Sequence, residues 1–259
     1  MPSAYAHYRF GNECIPLLQP QEQRIVKRFR PLYDAGVQGP DIFFYRSIFL
    51  RDSAAALASA THRETGAQFF TRCCQVIRQE SGEAAQAYLL GLLTHYCLDR
   101  NLHPMILEHT GDGSIGHPEM EAEFDRFLLQ LDGNRQPNTC DLSAHVKLTP
   151  GECATVARFY PGTGQLSALL SIRSMAASMK IRALPNGNFR RFVEKAAGKL
   201  LRGFFMHRIP NRRCAHLNED QMQRYRTALE DMPQLLAQLR EHLDRKVPLG
   251  SAFGTDFHG

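Results

Sequence analysis

Between Gly91 and Glu121 the chain sets His95, Asp99 and His103 at four-residue intervals and then, after a Gly-rich break, His117 and Glu121 at the same interval. Four residues of α-helix advance about 40° past a full turn, so each set lines one helix face. Neutral imidazole combined with carboxylate suits zinc better than magnesium or calcium, and two facing helices would close a site between them. A lone His and Asp at this spacing are ordinarily a surface pair or a satisfied helix-face contact. Two such sets in one short stretch are harder to explain that way. Tyr88, Leu89, Leu92, Leu93 and Tyr96 also make most of the first helix apolar, and ionisable groups among buried apolar residues need partners or a metal.

The elements that would carry these residues are helices punctuated by Pro and Gly. The pattern predicts helices over Gln21–Tyr33, with Gly36 suited to a C-terminal cap, Thr65–Gln79, and about Glu83–Leu102 after Ser81. His117 opens the next, which ends near Leu131 before Asp132 and Gly133. Thr149, Pro150 and Glu152 form a capping box with Pro at the first helical position, and Thr163–Lys180 and Phe189–Phe205 read as helical. A final helix runs from Asn218 to about Arg245 with an apolar stripe from Met222 to Leu243. Few segments alternate with strand period, so the expected fold class is all-α. The expectation is one multi-helix domain over 1–259, with the metal-type motifs in 1–130 and a basic helical second half over 140–259.

The ordered motifs resemble a known family. Ala6-His7-Tyr-Arg-Phe-Gly11, Gly39-Pro-Asp41-Ile-Phe-Phe-Tyr45, Thr61-His62-Arg-Glu-Thr-Gly66 and the Gly91–Glu121 block together look like the bacterial zinc-dependent phospholipase C family. The all-helical catalytic domain of that family is similar to that of the single-strand-specific zinc nucleases. The resemblance covers roughly the first half of the chain with motif order preserved. It implies a zinc cluster of two or three ions in a helical core. His62, His95 and Asp99 would hold one ion, Asp99 would bridge to a second that also takes His7, and His103, His117 and Glu121 would hold a third. Asp41 matches the carboxylate that orients or deprotonates the attacking water. The implied reaction is phosphodiester hydrolysis by a zinc-activated water. Secreted members use their first residue as a ligand, whereas six residues precede His7 here and no signal-peptide pattern is evident.

Composition is compatible with this reading. At 259 residues and 43% hydrophobic content the chain is long enough to bury a core, and no run approaches the apolar length of a membrane span. Seven cysteines form no metal signature, and their odd number favours reduced, mostly buried thiols in a cytoplasmic protein. Cys97 lies about 200° around the helix from His95, which makes it a core residue rather than a ligand. From Arg173 to Arg213 there are eleven Lys or Arg against a single acid, Glu194. That stretch is either a solvated basic face or a peripheral contact with an anionic membrane surface, with nucleic acid the less favoured partner. His109, His145, His207, His216, His242 and His258 lack a patterned carboxylate neighbourhood and read as ordinary surface or core histidines. Two other functions stay open: a zinc nuclease on the same scaffold, and a non-catalytic metal- or lipid-binding helical protein. A phospholipid or other phosphodiester is the expected substrate.

Overall fold

A computed structural model describes residues 4–49, 53–80, 82–185, 187–188, 190–192 and 204–259. Among these residues the secondary structure is entirely helical. Eleven α-helices are described: α1 (Ala4–Cys14), α2 (Pro20–Arg28), α3 (Arg30–Val37), α4 (Asp41–Phe49), α5 (Ala54–His62), α6 (Gly66–Glu80), α7 (Glu83–Thr110), α8 (His117–Leu131), α9 (Pro150–Ala157), α10 (Gln165–Arg182) and α11 (Asn218–Arg245). No described helix is long and apolar enough to cross a membrane. Most of the predicted helix over Phe189–Phe205 lies outside the described residues.

The long helix α7 is the axis of the fold. Its residues from Ala87 to Asp99 are buried all round, which is why the sequence there is apolar on every face but one. Each fully buried Leu in it contributes about 1.5–3 kcal/mol through the area it removes from water. α3 packs closely along it, α11 and α1 cover further sides, and α10 lies on α4 and α9. The approach of α3 to α7 depends on two glycines. A Cβ on Gly36 would stand 2.3 Å from the Tyr88 carbonyl oxygen, and one on Gly91 would stand 2.3 Å from that of Tyr33. Neither backbone can yield, so only glycine permits this spacing.

α1, α4 and α5 were not among the expected helices, the helices expected over Thr65–Gln79 and Thr163–Lys180 are shifted by one or two residues, and two boundaries differ more. The helix expected over Gln21–Tyr33 is broken at Phe29 (φ −114°, ψ 40°) into α2 and α3, because Pro31 has no N–H to continue the ladder. Gly36 accordingly lies within α3, and the left-handed residue that ends this region is Gly39 at φ +55°. In contrast α7 runs through Pro104 to Thr110. Gly259, at φ +91°, packs against the Pro104 ring and the Arg100 carbonyl there, leaving no room for a Cβ. The capping box at Thr149, the stop at Gly133 and the bounds of α8 and α11 agree with the sequence pattern. The seven cysteines are free, and the Cys97 thiol donates to the Ala228 carbonyl in the α7–α11 contact.

Candidate metal centre

Five helices bring eight side chains together around the middle of α7. His7 comes from α1, Asp41 is the first residue of α4, His62 is the last of α5, His95, Asp99 and His103 line one face of α7, and His117 and Glu121 begin α8. Gly39 makes the approach of α4 possible twice over. Its positive φ turns the chain between α3 and α4, and a Cβ there would lie 2.3 Å from the His95 ring. The glycine-rich segment before α8, with Gly113 at φ +71°, folds His117 back onto α7.

Asp99 is the hub. Its Oδ1 is 3.1 Å from His7 Nε2 and 3.7 Å from His103 Nε2, and its Oδ2 is 3.0 Å from His95 Nε2 and 3.7 Å from His62 Nε2. His62 Nε2 also lies 3.1 Å from Asp41 Oδ1. Glu121 Oε1 stands 3.3 Å from His117 Nε2 and 3.9 Å from His103 Nε2. The His7 and His95 rings stack at 4.3 Å. Every one of these groups is buried except His117, which is part exposed.

The other ring nitrogens decide what the Nε2 atoms offer. His62 Nδ1 faces the Ala58 carbonyl at 2.8 Å, His95 Nδ1 faces that of Val37 at 3.2 Å, and His103 Nδ1 faces that of Phe257 at 2.8 Å. A carbonyl only accepts, so the proton of each neutral imidazole sits on Nδ1 and the Nε2 lone pair points at the carboxylates. Lone pair against carboxylate oxygen is repulsive without a cation between them. His95 Nε2 and Asp99 Oδ2 are both buried and neither forms a hydrogen bond, although they are 3.0 Å apart.

Three groups of donors meet the spacing a metal needs: His7, His95 and Asp99; Asp41, His62 and His95; and His103, His117 and Glu121, each with its ligand atoms within 4.8 Å of one another. Ligands about 2.1 Å from a tetrahedral ion are about 3.4 Å from each other, and the pairwise separations of 3.0–3.9 Å bracket that value. These buried His, Asp and Glu groups can therefore hold metal ions. A single Nε2 serves one ion, so His95 belongs to one of the first two groups. Asp41, which the resemblance casts as the base, also stands where a ligand would.

The electrostatics are those of buried acids and imidazoles that could hold a cation. Against burial, which favours the neutral acid, the charges of His103, His95 and His7 hold the Asp99 carboxyl well below its ordinary range. Asp41 is lowered in the same way by His62 and His95, again against burial. Burial lowers His7, with His95 adding to it. Burial also works to lower His103, but the charge of Asp99 and the contact with Glu121 outweigh it and raise the imidazole to about 9. In the absence of a metal, protons on the imidazoles are the cations that these carboxylates collect.

Behind the cluster, Asp125 Oδ1 accepts the Ala6 N–H at 2.9 Å and so fixes the start of α1 next to His7. In front of it lies a cavity of about 330 Å³ whose wall includes Asp41, His62, His103 and His117. The wall also includes His258, which the sequence pattern passes over. The His258 ring stacks on His103 with centroids 5.4 Å apart. Its segment is tied into the site by Phe257, whose N–H donates to the His62 carbonyl and whose own carbonyl receives His103 Nδ1. No spacing rule links a residue in the last turn of chain to motifs more than a hundred positions earlier, so only the tertiary fold reveals it. Of the basic stretch from Arg173 to Arg213, Arg182 and Arg190 are buried, the second with Nη2 on the Met206 carbonyl, whereas the part from 193 to 203 is outside the described residues. Compared with protein-family models, with curated proteins and with solved structures, the chain finds no match.

Proposed function

We propose that the protein is a zinc-dependent phosphodiester hydrolase of the bacterial phospholipase C type. The observation that carries this reading is the buried, unbonded pair of His95 Nε2 and Asp99 Oδ2 in a cluster that opens onto a cavity. A closed four-ligand site would serve structure alone, whereas three donor groups, one of them reaching solvent through His117, leave positions for water and substrate. Imidazole and carboxylate without thiolate favour zinc among the common divalent ions. Bound zinc would supply a water of lowered pKa and positive charge for the phosphoryl oxygens.

The chain's own residues do the rest. His62, His95 and Asp99 would hold one ion, Asp99 and His7 a second, and His103, His117 and Glu121 the third. The carbonyls of Ala58, Val37 and Phe257 keep three imidazoles in the tautomer that presents Nε2. Asp41, on the cavity wall and ionised, is placed to accept the proton of an attacking water. The single carbocyclic ring in the described cavity wall, Phe44, gives little surface for stacking successive bases, which favours a lipid headgroup over nucleic acid. Peripheral contact with an anionic membrane surface through the basic second half, and action in the cytoplasm, belong to the same proposal.

Hydrolysis of short-chain phospholipids by the metal-loaded protein and two variants tests this. Asp41→Asn is expected to lower turnover by about 10²–10⁴-fold, the usual contribution of a proton acceptor, and to lose no more than one ion. Asp99→Asn is expected to lose metal and activity together. Undiminished hydrolysis by either variant would defeat the role assigned to that residue.

A further inference from the structure

Beyond the donor groups, the described wall of the cavity offers Phe44, Ser59, Arg63, Pro118 and His258. Arg63 follows His62 at the end of α5 and is exposed. Its guanidinium makes no hydrogen bond or ion pair among the described residues. The neighbouring acids are engaged: Glu64 holds Arg72, and Asp41 faces His62. Many other arginines of the chain are partnered, including Arg9, Arg28, Arg30, Arg100, Arg126 and Arg240. A helix C-terminus suits a positive side chain, yet Arg63 bonds to none of the carbonyls there through its side chain.

An unpaired guanidinium beside a phosphoryl-binding cluster is a planar fork for a second anion. The wall is poorly made for the opposite charge. Asp41 is the single carboxylate among its described residues, and it is turned toward the donor cluster, 3.1 Å from His62 Nε2. A quaternary ammonium is recognised by a cage of aromatic faces, and Phe44 alone cannot make one. A cationic headgroup would also stand against Arg63, and like charges at close range are how binding sites reject ligands. At about 330 Å³ the cavity is at the small end of the ~300–1,000 Å³ range for ligand sites, enough for a phosphorylated headgroup and too small for a run of stacked nucleotides.

We infer that the site selects diesters carrying a second negative charge beside the scissile phosphoryl group, that Arg63 reads that charge, and that the substrate class is a phospholipid with an anionic headgroup. This rests on the phosphodiesterase reading above. Arg63 acts here as a specificity residue that touches substrate, while the donor groups perform the chemistry.

The test compares dihexanoyl lipids with choline, glycerol and inositol 4-phosphate headgroups, and a tetranucleotide, as substrates of the metal-loaded full chain. The inositol 4-phosphate lipid is expected to exceed the choline lipid in kcat/KM by about tenfold, the worth of one charge-assisted contact. Arg63→Gln is expected to erase that ratio and Arg63→Glu to reverse it, both with metal content unchanged. A preference for choline, or a ratio that survives Arg63→Gln, overturns the inference. Faster cleavage of the tetranucleotide overturns the lipid class. Absence of hydrolysis of every diester would sink the enzymatic reading instead, and binding then decides the inference separately. In calorimetric titrations inositol 1,4-bisphosphate should bind the metal-loaded protein more tightly than phosphocholine, with the difference gone in Arg63→Gln. Equal binding of the two overturns it.

Discussion

Helix α8 carries two buried polar clusters, and they are satisfied in opposite ways. On one side Glu123 receives Arg126 Nε at 2.7 Å, Asn211 N at 2.9 Å and Asn218 Nδ2 at 3.0 Å, so that both of its oxygens meet N–H donors. Two residues earlier, on the opposite face of the helix, Glu121 together with Asp99 of α7 faces the Nε2 atoms of His7, His62, His95, His103 and His117. The fold therefore knows how to neutralise a buried carboxylate with arginine and amides, and it does so at Glu123. At Asp99 it supplies imidazoles, three of which, His62, His95 and His103, turn their Nδ1 protons toward backbone carbonyls. A cluster arranged in this manner could hold a cation from outside the chain, which is what would separate a site from a structural network.

Substitutions at the two hubs should therefore fail differently. Asp99→Asn is expected to abolish metal binding and hydrolysis with a helical chain retained, read by elemental analysis and circular dichroism. Glu123→Ala leaves Arg126 buried without its charged partner, with only Gln130 Oε1 to receive it, and breaking a buried pair costs about 3–5 kcal/mol. That variant is expected to unfold at much lower denaturant concentration while keeping its full complement of metal. Loss of metal in Glu123→Ala at a concentration where it is still folded would erase the contrast.

Acidity sharpens the comparison with a smaller effect. In the metal-free protein His103 is raised from 6.5 to about 9. Its protonated form then contributes stability that is complete below pH 6.5 and is lost as the pH rises through about 9. His7, lowered by burial, acts below that window. Metal binding needs deprotonated ligands, so the loaded protein should gain affinity over the same interval. Denaturant unfolding with and without chelator should show slopes of opposite sign between pH 6.5 and 9. Parallel slopes would mean that the imidazoles do not exchange protons for metal.

What the sequence made legible follows from where each signal resides. The four-residue steps of His95, Asp99, His103, His117 and Glu121 survive directly as helix faces of α7 and α8, because helical geometry is local. The capping box that opens α9 was equally readable, since it is written in adjacent residues, and the bounds of α8 and α11 also agreed with the pattern. His7, Asp41 and His62 could be joined to them by motif resemblance alone, because three separate helix termini have no common period. The break at Phe29 and the passage of α7 through Pro104 depend on packing that outweighs local preference. His258 and Arg63 were invisible for a related reason: one is carried in by the chain end, and the other differs from fellow exposed arginines in standing on the cavity wall.

The central claim is that a cation belongs between His95 Nε2 and Asp99 Oδ2. Anomalous diffraction from crystals of the protein purified without chelator, recorded on both sides of the zinc absorption edge, tests it most directly. The expected result is two or three zinc peaks within the His7–Glu121 cluster, one of them in contact with both of those atoms. A well-ordered cluster with no anomalous peak, after exposure to zinc at neutral pH, would contradict it.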